Sequence, residues 1–397
     1  MASITSAQAP FHLMIKPAGP RCNLACTYCY YLKKALLFPH STCSMTADTL
    51  ECLVAAYLQA HPTNEVIFGW QGGEPLLMGI DFFRRVRELQ NRYQRPEQRV
   101  MNTLQTNGTL ITAEWAAFFK EEQFLVGISL DGPSALHDTY RRNQQGLPTH
   151  DRVEAGVHIL LRHGVEANAL VTVNRENAGY PLEVYQYLTG LGLAHLQFIP
   201  IVEQERPAHR KVTAWSVRAD AYSTFLCTIF DYWARHDVGQ VFVQLFESAL
   251  QVWLGGLPTV CAFAPTCGRA LVVEHTGALY ACDHFVEPGY YRGLVTSETL
   301  PSLVDGPQQI AFGQHKADLS STCRCCQVRR FCGGDCPKHR LRQDVDGKPI
   351  SYLCAGYQHF FTHSAVVLQA MAVEIRHGRQ ASNVMAVLQM DMPSDAM

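Results

Sequence analysis

The chain has no long hydrophobic run. No stretch of its 397 residues approaches the roughly 18–20 apolar residues that cross a bilayer, which argues against a membrane protein. Net charge is also scarce. Basic and acidic side chains, 33 against 35, leave a formal charge of −2, so neither nucleic acid nor an acidic lipid surface is expected as a partner. Met1 to Pro10 lacks the basic-then-apolar pattern of an export signal. The expected compartment is therefore the cytoplasm, where thiols stay reduced. Internal repeats and low-complexity blocks are lacking too. Cysteine, by contrast, is abundant: fifteen residues, which in a reducing compartment read as metal ligands rather than disulfides. A hydrophobic content of 47% suffices for a large core, and the length suggests two or three domains.

The first ~240 residues alternate short apolar runs with helical patterns, the signature of parallel strands joined by crossover helices. Strands are expected at Phe11–Lys16, Glu65–Trp70, Arg99–Thr106, Phe124–Leu130, Ala167–Val173 and His195–Ile201. Helices are expected at Ala47–Gln59, Phe82–Tyr93, Ala113–Glu122, Arg152–Arg162, Leu182–Leu188 and Arg218–Arg235. The fold class is α/β: a partial (β/α)6, TIM-like barrel over 1–240, followed by a cysteine-rich domain over 241–376. In the second part, Gln240–Gly256 is mixed, Ala270–Tyr280 reads as a β-hairpin turning at Thr276-Gly277, and a helix runs from Ser351 to about Arg376. The remainder, 377–397, carries no pattern and is expected to be a mobile tail.

Polar motifs fall at the carboxyl ends of the strands, where barrel enzymes keep their chemistry. A cysteine loop follows the first strand, Gln71-Gly72-Gly73-Glu74-Pro75 the second, Gln105-Thr106-Asn107-Gly108 ends the third, and Ser129 with Asp131-Gly132 ends the fourth. The loop reads Cys22-Asn-Leu-Ala-Cys26-Thr-Tyr-Cys29, a CX3CX2C triplet. Three thiolates can hold three irons of a cubic cluster and leave the fourth open, whereas electron-transfer clusters and structural zinc sites close with four ligands. The competing reading is a group of buried hydrophobic cysteines.

With Tyr28 before its last cysteine, the triplet resembles that of radical S-adenosylmethionine enzymes. The resemblance implies that the open iron chelates S-adenosylmethionine and that reductive cleavage yields a 5′-deoxyadenosyl radical. It also implies cofactor contacts: Gly72, Gly73 and Glu74 to the methionyl amino group, Arg141 to the carboxylate, Ser129 to the ribose or carboxylate, Tyr28 and Val202 to adenine. Arg142 is the fallback for Arg141.

Downstream, Cys267-X9-Gly277-X4-Cys282, then Cys323-X2-Cys326-X5-Cys332-X3-Cys336, then Cys354, resembles the SPASM extension of enzymes that modify peptides and proteins. Cys261 brings the count to eight, enough for two further [4Fe–4S] clusters. By resemblance Cys261, Cys267, Cys282 and Cys336 hold one, and Cys323, Cys326, Cys332 and Cys354 the other. A zinc ribbon explains the 323–336 run alone but neither the earlier cysteines nor the triplet. Cys43, Cys52, Cys227 and Cys325 are left over; Cys52 and Cys227 read as small buried hydrophobes, and Cys325 breaks the ligand spacing.

Asp283 directly follows Cys282. A cluster closed by four cysteines is left to accept an electron, and a carboxylate beside it can take the substrate's proton. The Cys282-Asp283 pair, Leu104–Ile111 and Val126–Pro133 resemble anaerobic sulfatase-maturating enzymes. That resemblance implies oxidation of a Cys or Ser in a sulfatase Cys/Ser-X-Pro-X-Arg motif to Cα-formylglycine, with Asp283 as proton acceptor. It further implies three [4Fe–4S] clusters, S-adenosyl-L-methionine, and a flavodoxin or ferredoxin reductant. Tyr31 is expected to contact substrate. The alternatives are a SPASM maturase that crosslinks a ribosomal peptide and a non-catalytic iron–sulfur carrier. A carrier needs no open triplet, and the barrel's start by residue 11 is expected to leave no room for the peptide-recognition domain many crosslinking enzymes carry.

Overall fold

The structure, a computed structural model, describes residues 6–39, 42–205 and 211–390. Strands β1 (His12–Lys16), β2 (Glu65–Trp70), β3 (Arg99–Thr106), β4 (Leu125–Ser129), β5 (Ala167–Val173) and β6 (His195–Pro200) form where the apolar runs predict them, followed by a short β7 (Phe242–Val243). A helix comes after each of the first six. Side-chain caps set two of the starts: the Thr46 hydroxyl accepts from the Thr49 N–H to open Ala47–Ala60, and Thr112 accepts from the Trp115 N–H to open Ala113–Glu121. Pro181 opens Pro181–Gly190, where its missing N–H is not needed.

The chain forms two compact units that do not follow sequence order. The first comprises Met1–Ser129, Tyr140–Ala167 and Thr266–His315. Here β1 to β4 are parallel neighbours in chain order. On the free side of β1 the cysteine-rich region supplies more sheet. Strand β8 (Ala270–Glu274) pairs parallel with β1, and β9 (Ala278–Tyr280) and β10 (Tyr291–Leu294) continue antiparallel. An unpaired β1 edge would leave a row of backbone donors and acceptors open, and β8 satisfies them. The expected hairpin turns at Gly277, whose φ of +82° suits glycine. Trp70, Phe83, Phe119 and Phe124 are fully buried in this unit, each worth about 1.5–3 kcal/mol of burial.

The second unit comprises Leu130–Thr139, Asn168–Pro265 and Lys316–Met397. It holds the parallel β5–β6–β7 pairings and the long helix Ala219–His236, against which Cys354–His363 packs through Tyr222–Tyr357 and Phe230–Phe360 edge-on ring contacts. Three expectations change here. The mixed segment after 240 contains a helix, Gln244–Trp253, because Leu245, Phe246, Ala249, Leu250 and Val252 fall on one buried face. The single helix expected to about Arg376 is two, Cys354–His363 and Ala365–Arg376, broken at buried Ser364 whose hydroxyl bonds back to the Phe360 carbonyl at 2.9 Å. The patternless tail forms Val384–Met390, with Gln389 donating to the Arg235 carbonyl at 3.0 Å; positions 391–397 lie outside the described residues. Among the described residues no helix is long and apolar enough to cross a membrane.

Candidate active site

The cysteine loop leaves the carboxyl end of β1 and is held by backbone bonds to residues 140–143. Ala25 N–H donates to the Arg142 carbonyl at 2.8 Å and Thr27 N–H to the Tyr140 carbonyl at 3.0 Å. These bonds bring Arg141 to the loop: it is 7% exposed, with its guanidinium 5.4 Å from the Tyr28 ring centroid. Arg142, the fallback, is exposed and donates to the Gly146 carbonyl of its own turn at 2.9 Å. Ser129 ends β4 and is buried. Val202 is buried just past β6 in the other unit.

Cys26 and Cys29 both lie within electrostatic reach of Cys22. Burial above all, then Glu74 and the two other cysteines, pushes the Cys22 thiol up to about 12. A thiol so reluctant to ionise needs a nearby cation to become a thiolate, which is what cluster iron supplies. Donors suited to a thiolate are in place: Leu24 N–H at 3.4 Å and Asn107 Nδ2 at 3.7 Å from Cys22 Sγ. The residues present fit a three-thiolate cluster.

The glycine-rich loop after β2 lies against this cysteine loop. Gly73 N–H donates to the Gly19 carbonyl at 2.8 Å, and Glu74 N–H to the Arg21 carbonyl at 2.9 Å. A Cβ on Gly73 would sit 2.0 Å from the Arg21 carbonyl oxygen, so the glycine permits loop against loop. Glu74 is fully buried, and its carboxylate accepts from Leu76 N–H (3.0 Å), the Thr106 hydroxyl (2.9 Å) and Asn107 N–H (2.8 Å). Burial outweighs those donors and raises its carboxyl to about 7. The side chain expected to face the cofactor therefore braces the β2 loop against the end of β3.

Asp283 follows the β8–β9 hairpin on a short turn, Asp283–Phe285, and the hairpin's pairing with β1 delivers it to the end of that strand. Its carboxylate is buried. Oδ1 lies 2.6 Å from Lys16 Nζ, and Oδ2 accepts from the Tyr30 hydroxyl. Burial alone would raise this carboxyl; the Lys16 ammonium first, with His284 and Tyr30, wins and holds it at about 2. Tyr31 is 2% exposed and donates its hydroxyl to Glu274 Oε1 at 2.6 Å.

Among the C-terminal cysteines, Cys323, Cys326, Cys332 and Cys354 line one cavity of about 380 Å³ in the second unit, with Val328, Arg329 and Gln358 among its walls. Burial first, then neighbouring acidic groups, pushes the Cys332 thiol up, and burial, Cys323 and Cys326 raise Cys354 to about 11. Among the described residues no group of three or more His, Cys, Asp or Glu side chains converges on a single-ion point. Cys267 and Cys282 flank the β8–β9 hairpin, and Lys316 Nζ donates to the Cys261 carbonyl at 2.7 Å. Cys336 closes the CX5CX3C run. Of the leftover cysteines, Cys227 is buried in its helix, Cys52 bonds the Val295 carbonyl at 3.3 Å, Cys43 has φ +51°, and Cys325 is exposed at the cavity. All fifteen are thiols.

Two family models match: the radical SAM superfamily over residues 17–188 and an iron–sulfur cluster-binding SPASM domain over 261–327. A serine-type anaerobic sulfatase-maturating enzyme of Bacteroides thetaiotaomicron is 40% identical over 395 residues, 96% of this chain and 95% of the relative. A cysteine-type enzyme of Clostridium perfringens is 32% identical over 89% of this chain and 96% of its own. The chain belongs to the anaerobic sulfatase-maturating enzymes. The solved anSMEcpe with bound AdoMet and a Cp18Cys peptide matches with a TM-score of 0.84 at 32% identity, covering 92% of this chain and all of that one. SuiB of Streptococcus suis shares the fold alone, with a TM-score of 0.58 at 14% identity. The expected class, a partial (β/α)6 barrel followed by a SPASM domain, holds.

Within this anaerobic sulfatase-maturating enzyme, sequence reasoning missed Lys16, Tyr30 and Glu274 and left Asn107 without a role. Lys16 carried a faint signal, a lysine closing the apolar strand His12-Leu-Met-Ile-Lys16. Tyr30 and Glu274 had none, since their partners, Asp283 and Tyr31, lie more than 240 residues away.

Proposed function

We propose that the protein oxidises a cysteine or serine within a Cys/Ser-X-Pro-X-Arg motif of a sulfatase polypeptide to Cα-formylglycine (3-oxoalanine). The observation that carries this reading is the buried Asp283 carboxylate, gripped by Lys16 and Tyr30 in the same compact unit as the three-thiol loop. Cys22, Cys26 and Cys29 would hold the cluster that binds S-adenosyl-L-methionine. Backbone of Gly72–Glu74 would meet its amino group, Arg141 and Ser129 its carboxylate and ribose, and Tyr28 and Val202 its adenine. Cys261, Cys267, Cys282 and Cys336 would close one auxiliary [4Fe–4S] cluster, and Cys323, Cys326, Cys332 and Cys354 the other. When bound, these groups supply a 5′-deoxyadenosyl radical that takes a hydrogen atom from the substrate Cβ, and an acceptor for one electron.

Asp283 takes the thiol or hydroxyl proton. It is ionised at neutral pH, so the accepting form is present from the start. Loss of a hydrogen atom, a proton and an electron turns CH2–OH into an aldehyde and CH2–SH into a thioaldehyde, which water converts to the aldehyde with release of hydrogen sulfide. Tyr31 would meet substrate with its ring only, its hydroxyl being committed to Glu274. The reading includes a cytoplasmic setting, which keeps fifteen thiols reduced, and a low-potential flavodoxin or ferredoxin as electron donor.

The test is anaerobic incubation of reconstituted protein with S-adenosylmethionine, reductant and short peptides carrying Ser-X-Pro-X-Arg or Cys-X-Pro-X-Arg, followed by mass spectrometry. The serine peptide comes first, because the serine-type relatives are 40% and 36% identical against 32% for the cysteine type. Aldehyde product supports the reading; a thioether overturns it. Asp283→Asn is expected to abolish aldehyde while iron content stays, and undiminished product would remove Asp283 from the role of base.

A further inference from the structure

We propose that Lys16 is the residue that positions the Asp283 carboxylate for proton removal, a role that rests on the formylglycine reading above. Lys16 closes β1 and is 2% exposed, an unusual place for a lysine unless it is paired. Its Nζ lies 2.6 Å from Asp283 Oδ1 and 4.6 Å over the Tyr31 ring centroid. Parallel register sets Lys16 beside Glu274 of β8. Its aliphatic stem packs on the glycine-rich loop, where a Cβ at Gly72 would lie 3.1 Å from Lys16 Cδ.

Asp283 sits on a three-residue turn, and its side chain has two torsions free to rotate. An ion pair with Lys16 at one oxygen and a hydrogen bond from the Tyr30 hydroxyl at the other fix the plane of the carboxylate. Lys16 is the firmer of the two anchors: it hangs from a strand hydrogen-bonded on both sides, by β2 and β8, whereas Tyr30 lies on the cysteine loop. One strand end thus touches both the loop expected to meet S-adenosylmethionine and the carboxylate expected to take the substrate's proton. A lysine ammonium is compact enough for this enclosed point contact; the wider guanidinium fork of arginine is not its equivalent.

The experiment measures 5′-deoxyadenosine and formylglycine together in the reconstituted full-length enzyme, with iron content and peptide KM alongside. Wild type is expected to give a ratio of about one, since one hydrogen atom leaves each substrate. Lys16→Met keeps the stem and removes the cation. Its formylglycine rate is expected to fall about 10-fold or more while the radical still forms, so that deoxyadenosine exceeds formylglycine several-fold at unchanged iron and peptide KM. Lys16→Arg, which restores a cation, should bring the ratio part of the way back. A Lys16→Met enzyme with a ratio of one at full rate overturns the proposal, as does equal loss of both products with iron intact, which would assign Lys16 to the cofactor side. If Lys16→Met loses iron, Lys16→Gln, which removes the charge but keeps a polar head, carries the test instead, and a ratio of one at full rate there overturns the proposal. Wild type that makes deoxyadenosine but never formylglycine would instead refute the formylglycine reading itself.

Discussion

Replacing Gly73 by alanine tests whether the glycine-rich loop and the cysteine loop are one mechanical piece. The added Cβ would lie 2.0 Å from the Arg21 carbonyl oxygen, 2.6 Å from the Arg21 carbonyl carbon and 2.9 Å from that of Pro20. All three are backbone atoms, so no side chain can swing aside. Restoring ordinary contact near 3.5 Å requires the segments to part by about 1.5 Å. That separation breaks two backbone hydrogen bonds, Gly73 N–H to Gly19 (2.8 Å) and Glu74 N–H to Arg21 (2.9 Å). At about 1–3 kcal/mol for each buried pair left unmade, the substitution costs about 2–6 kcal/mol. The rest of the fold does not share the strain, so it should fall on the cysteine loop. The assay is anaerobic reconstitution followed by iron analysis and electron paramagnetic resonance with and without S-adenosylmethionine. Gly73→Ala should lose the iron of one cluster in three and the spectral response to S-adenosylmethionine. Wild-type iron together with an unchanged response would refute the argument.

Glu74 gives a pH signature. Its folded carboxyl titrates at about 7 against an ordinary 4.5, so its contribution, roughly 3 kcal/mol, is full below 4.5 and lost as pH rises through 7. In anaerobic denaturation the advantage of wild type over Glu74→Gln should shrink from pH 5 to pH 8; a widening gap contradicts this. Arg141→Ala should weaken S-adenosylmethionine binding about 10–100-fold, the worth of a charge-assisted bond, and unchanged affinity in equilibrium binding would free Arg141 of that role. Alanine at Cys323, Cys326, Cys332 or Cys354 should each cost the iron of one cluster, whereas Cys325→Ala should keep it although Cys325 lines the same cavity. Iron loss in Cys325→Ala would rewrite the ligand set.

Much of the barrel was legible in sequence. Every strand from β1 to β6 lies within one residue of its expected ends, because each is a short apolar run closed by a turn. Helices less strongly marked were harder. Gln244–Trp253 passed as mixed sequence although Leu245, Phe246, Ala249, Leu250 and Val252 carry helical spacing, and Ser364 breaks a helix through a hydroxyl bond that composition does not announce. At the site, the cysteine spacings singled out the candidate ligands as a class. Glu74 shows the limit: the motif named the residue, but its carboxylate serves the end of β3.

Local chemistry written into the order of residues was decided by sequence alone: a triplet one ligand short, eight further cysteines, and an acid beside one of them. Spacing of a few residues suffices for these, because a loop of that length holds its own ends together. Tertiary structure decided what that acid touches. Lys16 and Asp283 are 267 positions apart, and only the parallel pairing of β8 with β1 brings ammonium and carboxylate to 2.6 Å. Strand pairing across such a separation depends on which sheet edge is open, and no local pattern records that.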